Sequence, residues 1–327
     1  MAKLEDQLAK LSQLQFENST DTALNKANCQ PLAKALKAAS NHVVAKAAQL
    51  VGEHRLHELT DELVTAFNRL MTQPAKRDKG GNGLTELVKT LTLLGYQDAD
   101  LFAKGSFHVQ MEPVYGGKVD VADHMRGWCA QGLAQSSGAD ALTHIGRLLA
   151  DPCPTTRKAA VQAVEISGRA DVGLPLLNFK ITEGDDDPQV IGQCVTAILH
   201  LTDGQGLDWI KPLMDHSDDA VIEQTLLAMG QSRHTGLSKI LQDFYEQTLE
   251  ADIQKATLLA LAMLRTDESL GFLVDLVEDG SVRAAEQAID SLSIYSYDSR
   301  LREKLIALCQ ERDDLYLKQK VQTAFGS

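Results

Sequence analysis

Apolar residues in the C-terminal half of the chain recur at helical spacing. Within 187–198, Val190, Cys194, Ala197 and Ile198 fall at i, i+4, i+7 and i+8, one stripe of an α-helix. Residues 151–164, 218–229, 250–261 and 279–289 repeat the scheme: an acidic residue, then a branched apolar one, then small side chains. Aligning one small residue per copy gives Ala163, Ala197, Ala228, Ala260, Ala288 and Ala324, at intervals of 34, 31, 32, 28 and 36 residues. That period belongs to stacked helical pairs, each burying its apolar face on its neighbours. The acidic residue opening each copy is placed to accept hydrogen bonds from the free amides of a first helical turn, worth about 1 kcal/mol. Pro152 and Pro188 suit a helix start, where a missing amide hydrogen costs nothing.

The N-terminal half is less regular. Residues 31–40 with 41–52, and 57–71 with 84–95, read as two helical pairs. Residues 73–83 between the latter two carry the breakers of a polar, solvated loop. Residues 4–16 form an amphipathic helix with Leu4, Leu8 and Leu11 on one side, suited to cap the first repeat. Residues 315–325 close the far end. The period breaks after Leu101 and Phe102. Pro113 disfavours helix there and Gly116-Gly117 favours a turn, before helix resumes near Val121.

At the repeated residues the sequence resembles the HEAT-repeat family, including the HEAT-like repeats of bilin lyases. Around 101–133 it is similar to a bacterial group of HEAT-repeat proteins, a similarity that implies no activity. The expected fold is an all-α solenoid of about nine HEAT-like pairs. The expected organisation is a single array over 1–327: an N-terminal cap (1–28), irregular repeats (29–104), an inserted loop (105–120) and regular repeats (121–327). The resemblance implies that the second helix of each pair lines the concave face. Arg157, Gln189, Gln193, Glu223, Gln224, Lys255 and Arg283 are then expected on or near the inner curve.

Composition narrows the function classes. Aromatics make up only 5% of the chain, so small and aliphatic side chains must fill the interior. The formal charge of −13 resides in residues 151–280, with 22 acidic and 9 basic side chains; the flanking regions balance. An acidic surface repels phosphate backbones and favours a basic partner. The HEAT-like DNA glycosylases need a basic groove, so nucleic acid is not the expected partner. The deoxyhypusine hydroxylases hold a di-iron centre through several His-Glu pairs, whereas His57-Glu58 stands alone here. No metal site and no cofactor are expected. The five cysteines form no CxxC pair, and no apolar stretch approaches the roughly 20 residues needed to cross a bilayer. A cytoplasmic protein is expected.

The insertion and the helix after it gather His108, Glu112, Tyr115, Asp120, Asp123, His124, Arg126 and Trp128. Two readings of this cluster stay open. It is a binding surface on a rigid scaffold, or Phe107, Val109, Met111, Val114 and Tyr115 plug an irregular repeat while the polar residues pair internally. The expected function is a non-catalytic protein-binding scaffold, with a partner that presents a basic or helical segment. The alternative is a bilin-lyase-like protein handling a small molecule.

Overall fold

In the computed structural model, residues 2–16, 23–136, 138 and 140–326 are described. Residues 17–22 of the expected cap therefore lie outside the described part. The chain divides into two compact units, residues 1–173 and 174–327.

In the first unit, α1 (Ala2–Ser12) packs against the second helix of the first pair, as a cap should. Four helical pairs follow. They are α2 (Ala23–Leu36) with α3 (Asn41–Glu53), and α4 (Thr60–Met71) with α6 (Asn82–Leu93), the one-turn α5 (Pro74–Arg77) lying between these two. Next come α7 (Ala99–Ser106) with α8 (Asp123–Gln135), and α9 (Ala141–Leu148) with α10 (Pro154–Ile166). The second helices α3, α6, α8 and α10 pack side by side in one layer.

Helix α11 (Ala170–Glu183) runs across the division between the units and precedes α12 (Pro188–Leu201). The second unit then adds α13 (Leu207–Met214) with α14 (Asp219–Ser232), and α15 (Ser238–Gln247) with α16 (Ala251–Leu264). The last pairs are α17 (Asp267–Asp279) with α18 (Val282–Leu292), and α19 (Ser299–Glu311) with α20 (Leu315–Ala324). Here α12, α14, α16, α18 and α20 form the continuous layer. Counting α11 with α12, the described residues hold nine pairs, and the architecture is an all-α solenoid of stacked helical pairs.

Small residues set the spacing in that layer. Ala163, Ala197, Ala228, Ala260 and Ala288 are buried, while Ala324 near the chain end is half-buried. A Cβ on Gly230 of α14 would come 2.6 Å from the carbonyl oxygen of Ala260 on α16, so these two backbones are in contact. Acidic capping holds for only part of the repeats. Asp187 accepts from the Gln189 amide at 3.0 Å and Asp218 from the Ala220 amide at 2.9 Å. The α18 cap is Ser281 rather than Asp279, and Glu250 makes no side-chain cap. Asp151 does not cap α10, because its carboxylate is committed elsewhere.

Three prolines lie inside helices: Pro31 in α2, Pro175 in α11 and Pro212 in α13. Each is exposed, so water can serve the carbonyl that loses its partner. The expected start of a helix at Pro31 is corrected, since α2 begins at Ala23.

The insertion contains an antiparallel hairpin, β1 (Met111–Val114) and β2 (Gly117–Asp120), joined through Tyr115 and Gly116. Gly116 supplies the positive φ (+87°) that the two-residue turn needs. Helix α7 continues to Ser106, past the expected stop at Phe102. The Val121 amide donates to the Gln110 carbonyl, and bonded pairs alternate from there along the register. Pro113, opposite Lys118, therefore occupies a non-bonded pair, with its nitrogen turned to the outer edge.

Candidate functional site

The hairpin is held from beneath by polar groups. Arg126 on α8 is 1% exposed. Its guanidinium donates to both oxygens of Asp151 (2.7 and 2.9 Å), to Asp120 Oδ2 (2.6 Å) and to the His108 carbonyl (3.0 Å). Burial works against its charge, but the bonds to Asp151 and Asp120 outweigh it and hold the proton more firmly than usual. Asp120 also accepts from the amides of Gln110 and Ala122, both at 3.0 Å. Burial would raise its pKa; those amides and Arg126 bring it below the ordinary carboxylate range.

A second tie runs to residues 78–84. Glu112 accepts from the Gly80 amide (2.8 Å) and from Gln110 Nε2 (2.7 Å), which keeps its carboxyl ionised to lower pH than usual. Gln110 Nε2 also donates to the Asp78 carbonyl at 2.9 Å. Asp78 is fully buried and accepts from Asn41 Nδ2, the Gly83 amide and the Leu84 amide at 2.7–2.8 Å. It thus caps α6 from outside the helix. Gly81 sits at φ +70°, and a Cβ there would fall on the Val121 carbonyl oxygen. Residues 78–83 are consequently anchored, which corrects the expectation of a solvated loop there, while Gln73 and residues 75–77 are exposed.

Both faces of the hairpin carry exposed apolar side chains, since Met111 pairs with Asp120 and Val119 with Glu112. Phe107, Val109, Met111, Val114 and Val119 are between 45% and 58% exposed, and Tyr115 at the tip is fully exposed. Phe107 stands edge-on to His144 and beneath the Arg147 guanidinium.

The eight candidate residues fall into separate groups. Glu112, Asp120, Arg126 and the His108 carbonyl belong to the anchor, while the His108 ring approaches Gln110 Oε1 at 3.3 Å. Tyr115 is at the tip. The Asp123 carbonyl accepts from Thr156 Oγ1, and His124 is exposed at the start of α8. Trp128 lies two residues, about 200° of helix, from Arg126 and meets α6 instead. There Lys89 stands 5.9 Å from its ring, and Thr92 Oγ1 donates to its carbonyl. Of His108, Tyr115, Arg126 and Trp128, Arg126 meets His108 only through its carbonyl, Tyr115 stands at the tip and Trp128 faces α6. Among the described residues, no group of three or more His, Cys, Asp or Glu converges as metal ligands would.

The second unit carries a shallow groove on its layer of second helices. Its volume is about 370 Å³, and Leu227, Ala256 and Leu259 form its floor. Glu223 on α14 and Asp252 on α16 border it, with Lys255 between them and Asp290 on α18. Asp290 is paired with Lys320 at 2.9 Å. Among the described residues, neither Glu223 nor Asp252 has a cation within ion-pair distance. Glu223 and Lys255, both on second helices, border this groove. Arg157 is buried and donates to the carbonyls of Asp151 and Pro152. Asp252 lacked a signal of its own, because a helix-start acid reads as a cap.

No family model matches the chain, and no curated protein matches it. Among solved structures it is similar to a chain of the CpcE–CpcF complex of phycocyanin lyase from Nostoc sp. PCC7120. Identity is 12%, covering 94% of this chain and 98% of that one, with a TM-score of 0.35. It is also similar to the karyopherin Kap121p bound to the extreme C-terminus of the phosphatase Cdc14p. There identity is 12% and the TM-score 0.34, over 94% of this chain and 46% of the karyopherin, so the chain spans about half of that protein. At such overlap the pairing of this chain's own helices is the ground for its architecture.

Proposed function

We propose that the protein is a non-catalytic scaffold whose acidic groove takes a basic, amphipathic helical segment of a partner. The observation that carries this reading is the groove on α14, α16 and α18. Glu223 and Asp252, which among the described residues have no cation within ion-pair distance, stand beside an apolar floor, with Lys255 also on the rim. They lie in a unit with 26 acidic and 13 basic side chains, whereas residues 1–173 balance. A helix with aliphatic residues on one stripe and Lys or Arg beside it would cover the floor and neutralise both acids. Tyr115 and the exposed apolar side chains of the hairpin are a second, separate contact surface, of the aromatic kind that anchors interfaces.

The proposal places the protein in the cytoplasm. Its five cysteines are all free thiols, and burial pushes the Cys194 thiol up to about 12, which keeps it unreactive. No helix among the described residues is long and apolar enough to cross a membrane.

The test is anisotropy with a labelled Leu/Lys amphipathic peptide. The double variant E223K/D252K is expected to weaken binding by about tenfold or more, and salt to weaken binding to the parent protein. Equal affinity for parent and variant would overturn the reading.

A further inference from the structure

A second groove lies in the first unit, between α1, α2 and the start of α3, and its electrostatic character is opposite. Its volume is about 590 Å³. Leu11, Leu14 and Val43 line it, and the rim carries Lys10, Lys34 and Lys37. Among the described residues, no carboxylate lines it. Lys10 is engaged by Asp6 at 3.3 Å on its own helix. Among the described residues, Lys34 and Lys37 have no carboxylate within ion-pair distance.

The lysine spacing follows from the backbone. The Lys37 amide donates to the Lys34 carbonyl at 3.2 Å, and the Ala38 amide to the Ala35 carbonyl at 3.0 Å. The turn thus continues past the end of α2. It keeps the two free ammonium groups one turn apart on the same side, with Ala35 and Ala38 beside them in the groove wall. Small residues there leave room for a partner's longer aliphatic side chains.

From this geometry we infer that the α1–α2–α3 groove is a docking site for an acidic amphipathic helix of a partner protein. Carboxylates spaced i, i+3 or i, i+4 on a facing helix match the Lys34–Lys37 spacing, while its aliphatic stripe covers the half-buried Leu14, Ala35 and Ala38, beneath which Leu11 and Val43 are already buried. Nucleic acid fits poorly, because two free lysines neutralise few phosphates and no aromatic side chain lines the floor for base stacking. The site is independent of the acidic groove proposed above. A scaffold with both would hold a basic and an acidic segment at once.

The full-length protein should be titrated with a labelled helical peptide of Leu and Glu, and with its Leu/Lys counterpart. The Leu/Glu peptide is expected to bind the parent protein more weakly as salt rises. It should lose about tenfold or more in affinity on K34E/K37E and bind E223K/D252K undiminished. Both lysines are exposed, so the variant should keep its helicity, checked by circular dichroism. Leu14→Gln tests the half-buried floor separately and should weaken the same peptide. Unchanged affinity on K34E/K37E would overturn the inference. So would competition by the Leu/Lys peptide for this site, or binding only to anionic phosphatidylglycerol vesicles. Failure of E223K/D252K to weaken the Leu/Lys peptide would count against the acidic groove alone.

Discussion

Replacing Arg126 by Met retains the bulk of a side chain that is 1% exposed and removes the charge shared by Asp120 and Asp151. Both carboxylates are under a tenth exposed, and Arg126 is the cation that both bond. Breaking a buried ion pair from one side costs about 3–5 kcal/mol, since the remaining charge is left in a poor dielectric. At about 2–4 °C per kcal/mol for a unit of this size, the transition should fall by roughly 6–20 °C. Acidity supplies the control. The folded pKa of Asp120 is depressed, so its contribution is present above the unfolded value near 3.9 and is lost as pH falls through the folded one. Without Arg126, burial of Asp120 is opposed only by its two amide bonds, so its pKa rises, and protonation relieves the stranded charge. The gap between parent and variant should therefore be widest at neutral pH and narrow as pH approaches about 4. Urea unfolding followed by Trp128 fluorescence, with Trp209 replaced by Phe in both proteins, reads the first unit locally. A loss below about 1 kcal/mol at neutral pH, or a loss independent of pH, would refute the argument.

Other substitutions probe separate links. Gly230→Val should destabilise by about 1–3 kcal/mol, because its side chain must enter the space of the Ala260 backbone; an unchanged melting temperature would mean the layer can spread there. Arg233 is exposed at φ 57°, so Arg233→Gly should stabilise by about 0.5–1 kcal/mol in urea titrations, and a loss would show that the side chain matters. Arg312 donates to the carbonyls of Val277, Glu278 and Gly280 at the end of α17, so Arg312→Met should speed amide exchange there. Gly81→Ala should loosen the hairpin, with exchange at 78–84 and 110–121 rising together; a rise in only one segment would separate them.

The repeat was readable because its signal is local. A stripe such as Val190, Cys194, Ala197 and Ile198 is contained in three turns, and all four side chains are buried. Helix α3 likewise occupies Asn41–Glu53, where periodicity put it at 41–52. The start of α2 was hidden because proline serves both as an opening residue and, when exposed, as a tolerated interior one. The anchor was hidden for a different reason. Arg126 and Asp151 lie 25 residues apart, and Glu112 meets an amide at Gly80, 32 residues away. A bond to a distant backbone group leaves no periodic trace in composition. The polar residues of the insertion pair internally, as one reading had it, while its apolar residues are exposed rather than packed as a plug.

Pro113 gives the hairpin a direction of use. Two short strands with a bare edge and an apolar surface would ordinarily recruit a third strand, including one from an identical molecule. With no hydrogen at the outward nitrogen of Pro113, the edge of β1 lacks the donor that would continue the ladder at that position. On the reading proposed above, a partner at the hairpin would meet Tyr115 and Val114 through side-chain contact. Such contact is selective in a way that backbone pairing is not, so the same proline guards against strand addition by an identical molecule.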